Sequence, residues 1–131
     1  MTDKPDETAK DDTAKIEKYI TSALQRKAEN IKAIAVGNLT SYTDIIIIIT
    51  GRSARQVTSV AEHIHTTMKK QGILPLGVEG VKEGKWALLD FGDVIVHVFD
   101  AETRALYDIE GLWSDAPKLD LSRFNIKDEQ V

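Results

Sequence analysis

Asp44, Asp90 and Asp93 are the carboxylates that a metal-dependent nucleotidyl-transfer centre would need, with two cations held about 3.5–4 Å apart between converging side chains. Their placement argues against convergence. Asp90 and Asp93 bracket a tight turn and point to different faces, while Asp44 precedes a strand where it caps or covers an edge. His63 and His65 lie two apart on a helix, so neither the i,i+4 zinc pair nor HExxH is present. Ser41, Ser53 and Ser59 have no nucleophile-elbow sequence and no evident His–acid partnership. Thr50-Gly51-Arg52-Ser53 joins a strand to a helix N-terminus, a natural anion site to which Arg52 and Arg55 would add charge. It is neither a P-loop nor a GxGxxG fingerprint, and a glycine turn followed by a serine cap accounts for it. These residues present no reactive centre, cofactor site or metal site.

The better-made chemistry is a surface. Residues 85 to 99 place two apolar strands around a Gly92-Asp93 turn, a strong hairpin signal with glycine suited to the first central position of a type II′ turn. The register pairs Phe91 with Val94, Leu89 with Val96 and Ala87 with Val98 on a purely apolar face. Asp90 then pairs with Ile95, Leu88 with His97 and Trp86 with Phe99 on the other. Aromatic rings with a few polar groups suit a docking surface; a helix covering both faces is the plainer alternative.

The elements that position this hairpin follow from periodicity and punctuation. Residues 1 to 12 read as a disordered acidic tail, and a domain spans 13 to 115. Ile16, Ile20, Ala23 and Leu24 recur at helical spacing to about Glu29. Ile31 to Val36 reads as an edge strand. The five-isoleucine run from Ile45 to Ile49 has no alternation and reads as a central strand buried on both faces. Ser53 and Gln56 form a capping box for a helix that buries Val57, Val60, Ala61, Ile64 and Met68 and stops at Gly72. Ile73 to Val78 is the next strand, reached by a parallel crossover. After the hairpin, Ala101 to about Ser114 reads as one helix with Leu106, Ile109 and Trp113 on a stripe, and 116 to 131 as a loosely ordered tail. The fold class is therefore a single α/β domain with a mixed sheet of about five strands and three principal helices. Three helices leave part of such a sheet for another molecule.

Composition bounds the partners. The chain has 131 residues, no cysteine and a net charge of −4. Absent thiols fit a reducing cytoplasm, no apolar run approaches a membrane span, and the acidic start is unlike a targeting peptide. Residues 79 to 110 hold eight acids (Glu79, Glu83, Asp90, Asp93, Asp100, Glu102, Asp108 and Glu110) against Lys82, Lys85 and Arg104. That balance steers toward a basic partner rather than sequence-specific contact with nucleic acid.

Thr43-Asp44, Thr50-Gly51-x-Ser53-x-Arg55, Gly72-x-Leu74-Pro75-Leu76-Gly77-Val78-Glu79-Gly80, Trp86, Leu89 to Phe99 and Arg104-x-Leu106-Tyr107-x-Ile109-Glu110-x-Leu112-Trp113 resemble the ribosomal silencing factor, or Iojap-like, family over about residues 14 to 115. The resemblance implies a nucleotidyltransferase-like fold without transferase chemistry. It implies binding to ribosomal protein fourteen of the large subunit, on the face that meets the small subunit. It also implies a block of subunit joining that represses translation when nutrients are scarce, and a homodimer when free. On that basis Trp86 is the first expected anchor, with Leu88, His97 and Phe99 beside it, Glu79, Asp90 and Asp93 as charge partners, and Tyr107 as a further contact. The rival expectation is a nucleotidyltransferase-like enzyme binding a nucleotide at the Gly51–Arg55 loop.

Overall fold

Ile45 to Ile49 are all buried, and the molecule is arranged around that strand. In this computed structural model the backbone of residues 5–126 and the side chains of residues 12–126 are described. The order is α1 (Pro5–Gln25), β1 (Glu29–Ala35), β2 (Ile45–Gly51), α2 (Ala54–Lys70), β3 (Gly77–Glu79), β4 (Trp86–Asp90), β5 (Val94–Asp100), α3 (Ala101–Tyr107), α4 (Ile109–Leu112) and a 3-10 turn (Ser122–Phe124). The five strands form one sheet in the order β1-β2-β5-β4-β3. β2 and β5 are parallel, and the other neighbours are antiparallel. The mixed α/β sheet expected from the sequence is thus present.

The hairpin register is the one read from the turn: Trp86 faces Phe99, Leu88 faces His97 and Leu89 faces Val96. Gly92 has φ +91, the positive value that favours glycine there. Asp90 Oδ1 accepts the Gly92 N–H at 2.8 Å, so this carboxylate closes the turn. The serine half of the capping box also forms, while Gln56 reaches one residue beyond the cap. Ser53 Oγ accepts the Gln56 N–H at 3.1 Å, and Gln56 Oε1 accepts the Arg52 N–H at 2.6 Å. Gln56 Nε2 then donates to the carbonyls of Arg26 and Lys27. One side chain therefore starts α2 and satisfies the end of α1, which stops where Lys27 turns left-handed.

Helices α1 and α2 cover one sheet face. Ile16, Ile20, Val60, Ile64, Leu89 and Val96 are among the fully buried members of this larger core. The opposite face carries a smaller cluster built on Ile34, Ile46, Ile48 and Phe99, against which Trp86, Ile109 and Trp113 pack.

Several expectations need correction. Helix α1 begins at Pro5, so the backbone of residues 5 to 12 is helical; residues 1–4 of the expected tail lie outside the described residues. The strand expected over 73–78 is shortened to Gly77–Glu79 at the far edge of the sheet. The parallel neighbour of β2 is β5 instead. The last helix is broken, because Asp108 adopts a left-handed conformation (φ 47) that ends α3 and N-caps α4 through its carboxylate. The segment after residue 115 is seated. Leu119 N–H donates to Ala33 O at 2.8 Å, Ala35 N–H donates to Pro117 O at 2.9 Å, and Ala116 and Leu121 are buried. Residues 127–131 lie outside the described residues.

Arg104 ties these late elements to the sheet. It is buried, and its guanidinium donates to Asn30 O at 2.6 Å, Thr50 Oγ1 at 2.7 Å and Glu110 Oε2 at 2.7 Å. The Asn30 carbonyl is available because β1 carries an irregularity between Glu29 and Lys32, with Asn30 at φ 54. Burial pushes the Glu110 carboxyl up, but the hydrogen bond and charge of Arg104 outweigh that and leave it lowered.

Two stability measurements check this packing. Leu89→Ala opens a cavity in the larger core and should cost about 2–5 kcal/mol in urea unfolding. Arg104→Leu strands Glu110, Thr50 and the Asn30 carbonyl in partly dry surroundings, and a loss of about 3–5 kcal/mol is expected. A loss under about 1 kcal/mol for either substitution would contradict the assigned burial.

Candidate functional site

Gly80 prepares the position of Trp86. It has φ +76, and a Cβ there would lie 2.1 Å from the Trp86 carbonyl oxygen, so the chain before β4 passes against β4 itself. Lys85 O then accepts the Asp100 N–H at 3.0 Å, fastening the start of β4 to the end of β5. Asp100 in turn N-caps α3 by accepting the Thr103 N–H at 2.7 Å, and hydrogen bonding from Thr103, through its side chain and then its backbone, holds the Asp100 carboxyl below the usual range. α3 is thereby set across the end of the hairpin and carries Tyr107 to Trp86.

The result is an aromatic stack. Trp86 lies 5.0 Å from Phe99 at 29° and 4.6 Å from Tyr107 at 44°, by ring centroids. Its indole Nε1–H donates to His97 Nδ1 at 3.0 Å. An indole nitrogen only donates, so the accepting His97 nitrogen carries no proton and the ring is neutral. Burial pushes the His97 pKa down to about 4, which keeps it so.

Beside the stack runs an open groove lined by Glu83, Lys85, Trp86, Glu102, Leu106 and Tyr107, among others. Trp86 and Tyr107 give it an aromatic lining and Leu106 an aliphatic one, and Leu106 is 75% and Tyr107 51% exposed. Glu83 and Glu102 stand on its rim with exposed side chains. Leu112 is another large exposed apolar residue, on α4.

The residues singled out from the sequence separate into different roles. Phe99 is fully buried and His97 nearly so. They support Trp86 and offer little surface, which corrects their reading as contact residues. Trp86, Leu88 and Asp90 are half-buried, and Glu79, Asp93 and Tyr107 are exposed. Asp93 and Asp44 both pair with Lys15, at 3.7 and 3.4 Å. Asp108 and Asp100 cap helices and Glu110 pairs with Arg104. The acidic excess left for a partner is therefore narrower than the sequence count, centred on Glu79, Glu83 and Glu102. Leu106 is exposed and not on the packed stripe expected with Ile109 and Trp113, and its exposure follows from the α3–α4 break. No local pattern announces that break except Asp108 with Gly111 three residues on.

At the Gly51–Arg55 loop, the Arg52 and Gln56 N–H groups have internal acceptors and Arg52 is ion-paired with Glu29. His63 bonds with Gln25 and Arg26. Among the described residues, no three His, Asp or Glu side chains gather in a metal-binding group, and no helix is long and apolar enough to cross a membrane.

The neutral state of His97 makes stability depend on pH. The folded state resists a proton that the unfolded chain accepts near pH 6.5, so stability falls as pH drops from about 6.5 toward about 4. Between pH 7 and 5 the loss attributable to His97 should be about 2 kcal/mol. Urea unfolding of wild type and His97→Phe at both pH values isolates this term; equal pH dependence in the two proteins would show that His97 is not held neutral.

Comparison with known proteins places this arrangement. The family model for "ribosomal silencing factor during starvation" matches residues 7–131. The ribosomal silencing factor of Halalkalibacterium halodurans is 38% identical over 73% of this chain and 82% of its own length, and that of Bacillus subtilis is 38% identical over 73% and 81%. The chloroplast protein Iojap of Zea mays is 32% identical over 89% of this chain and 53% of its own length. Among solved structures, a Chromobacterium violaceum protein superposes with TM-score 0.73 at 37% identity, covering 75% of this chain and 82% of that one. A Bacillus halodurans protein does so with TM-score 0.74 at 31% identity, covering 83% and 99%. On the strength of these matches, the chain belongs to the ribosomal silencing factor family.

Proposed function

We propose that this protein represses translation by docking on the large ribosomal subunit and standing where the small subunit must join. The observation that carries the reading is the groove beside Trp86, with an aromatic and aliphatic lining and an acidic rim. Such a groove is complementary to a basic protein surface carrying apolar side chains. The partner we assign is ribosomal protein fourteen of the large subunit, in keeping with the resemblance of the Trp86, Asp90–Phe99 and Arg104–Trp113 segments to the family. Glu79, Glu83 and Glu102 supply the acidic side, and Leu88 extends the apolar one, while Asp90 and Asp93 are engaged by the turn and by Lys15.

The mechanism is steric and needs no turnover. A Kd near 10 nM corresponds to about −11 kcal/mol, within reach of a standard-size interface with a few anchors. A catalytic role is not part of this reading. The factor acts in the cytoplasm, and free copies pair as a homodimer.

Sedimentation tests the proposal. On sucrose gradients the protein should travel with purified large subunits and reduce the joined particles formed when small subunits are added. Migration with small subunits alone, or unchanged joining at saturating protein, would contradict it. Leu106→Ser probes the groove without touching the core. It should weaken large-subunit binding about tenfold, equivalent to about 1.4 kcal/mol, while the melting temperature moves by no more than a degree or two. Trp86→Ala is a poorer probe, because it also strips Phe99 of its cover and His97 of its donor.

A further inference from the structure

We propose that His97 is the positioning residue of the docking groove: its Nδ1 accepts the indole N–H of Trp86 and thereby fixes the plane that the indole presents to a partner. This rests on the docking reading above and adds to it the residue that orients its anchor and the chemistry the anchor accepts.

Stacking alone does not orient a ring. Phe99, stacked on Trp86 at 29°, and Tyr107, tilted at 44°, hold the indole through ring contacts, and such contacts tolerate in-plane sliding and rotation. A hydrogen bond is directional, and this one is 3.0 Å long with a buried acceptor. The acceptor is itself rigid. His97 lies mid-strand in β5, paired with Leu88 on one side and Ile48 of β2 on the other. Its ring lies 11° from the plane of Phe99, with centroids 5.9 Å apart. Trp86 sits on β4 two residues nearer the strand end than Leu88, on the same face, so the central β2–β5 pair dictates the attitude of a side chain at the rim.

A consequence for recognition follows. The indole N–H is already engaged, so Trp86 offers a partner only its exposed ring surface. The partner element at that point is an apolar or cationic side chain, not a backbone carbonyl or other acceptor. Glu83 and Glu102 on the same groove, opposed there by Lys85, leave it net acidic and favour the same choice.

The experiment uses the full chain carrying Trp113→Phe, which leaves Trp86 as the sole tryptophan. His97→Phe keeps an aromatic ring and removes the acceptor, with His97→Leu as a second acceptor-free variant should the first not fold. His97→Asn restores an acceptor, since Oδ1 can stand where Nδ1 stood. Hydrogen exchange of the indole N–H by NMR, large-subunit affinity and melting temperature are read together. In the acceptor-free variant, indole exchange should quicken about tenfold or more and affinity should fall about tenfold. His97→Asn should recover both, whatever its melting temperature. Unchanged indole exchange in the acceptor-free variant overturns the proposal. So does affinity that follows melting temperature instead of exchange across the set. Absence of large-subunit binding by the parent protein overturns the docking reading itself and the purpose assigned to His97, a failure distinct from unchanged exchange.

Discussion

Two parallel strands with no polar face are the constraint on which the rest depends. Every residue of β2 is buried, and β5 is buried from Val94 to Phe99. Neither strand can leave a face to water, so the sheet must be covered twice. α1 and α2 cover one face with a continuous aliphatic core. The other face is closed by smaller pieces: α3, α4 and the chain through Ala116. These pieces reach the centre of the sheet and stop short of its β4–β3 side. The groove beside Trp86 exists because the second layer is incomplete there.

That incompleteness is held in place by buried polar chemistry. Arg104 pins α3 to the β1 irregularity and to Thr50, and His97 holds the indole N–H of Trp86. Each would be costly if unmatched, and each is matched. Several acids of the second half serve the same end, as helix caps, a turn closure and the partner of Arg104. The charge available for recognition is thus concentrated on a few glutamates near exposed apolar side chains. Affinity for a basic protein then depends on local complementarity more than on net charge.

Features set by local chemistry were legible in the sequence. The Gly92-Asp93 turn determined the hairpin register, the Ser53/Gln56 box marked the start of α2, and the isoleucine run identified the central strand. The pairing of Trp86 with Phe99 was also legible, because it follows from the same register. Less legible were features that depend on distant partners. Arg104 reaches a carbonyl 74 residues away, and the shape of Asn30 that exposes this carbonyl has no sequence signature of its own. The seating of residues 116–126 rests on β1 and the α1 side of the core, which periodicity within the segment cannot show. The division of the aromatic face into buried support and exposed contact depends on where α3 ends, and Asp108 decides that by adopting a left-handed conformation.

The central claim is that the incomplete second layer is the surface that meets the ribosome. Hydrogen–deuterium exchange of the protein, alone and saturated with purified large subunits, tests this most directly. Slower exchange confined to residues 79–90 and 101–113, with α2 unchanged, is the result the account predicts. Protection centred on the exposed face of α2, with residues 79–90 and 101–113 unaltered, would contradict it.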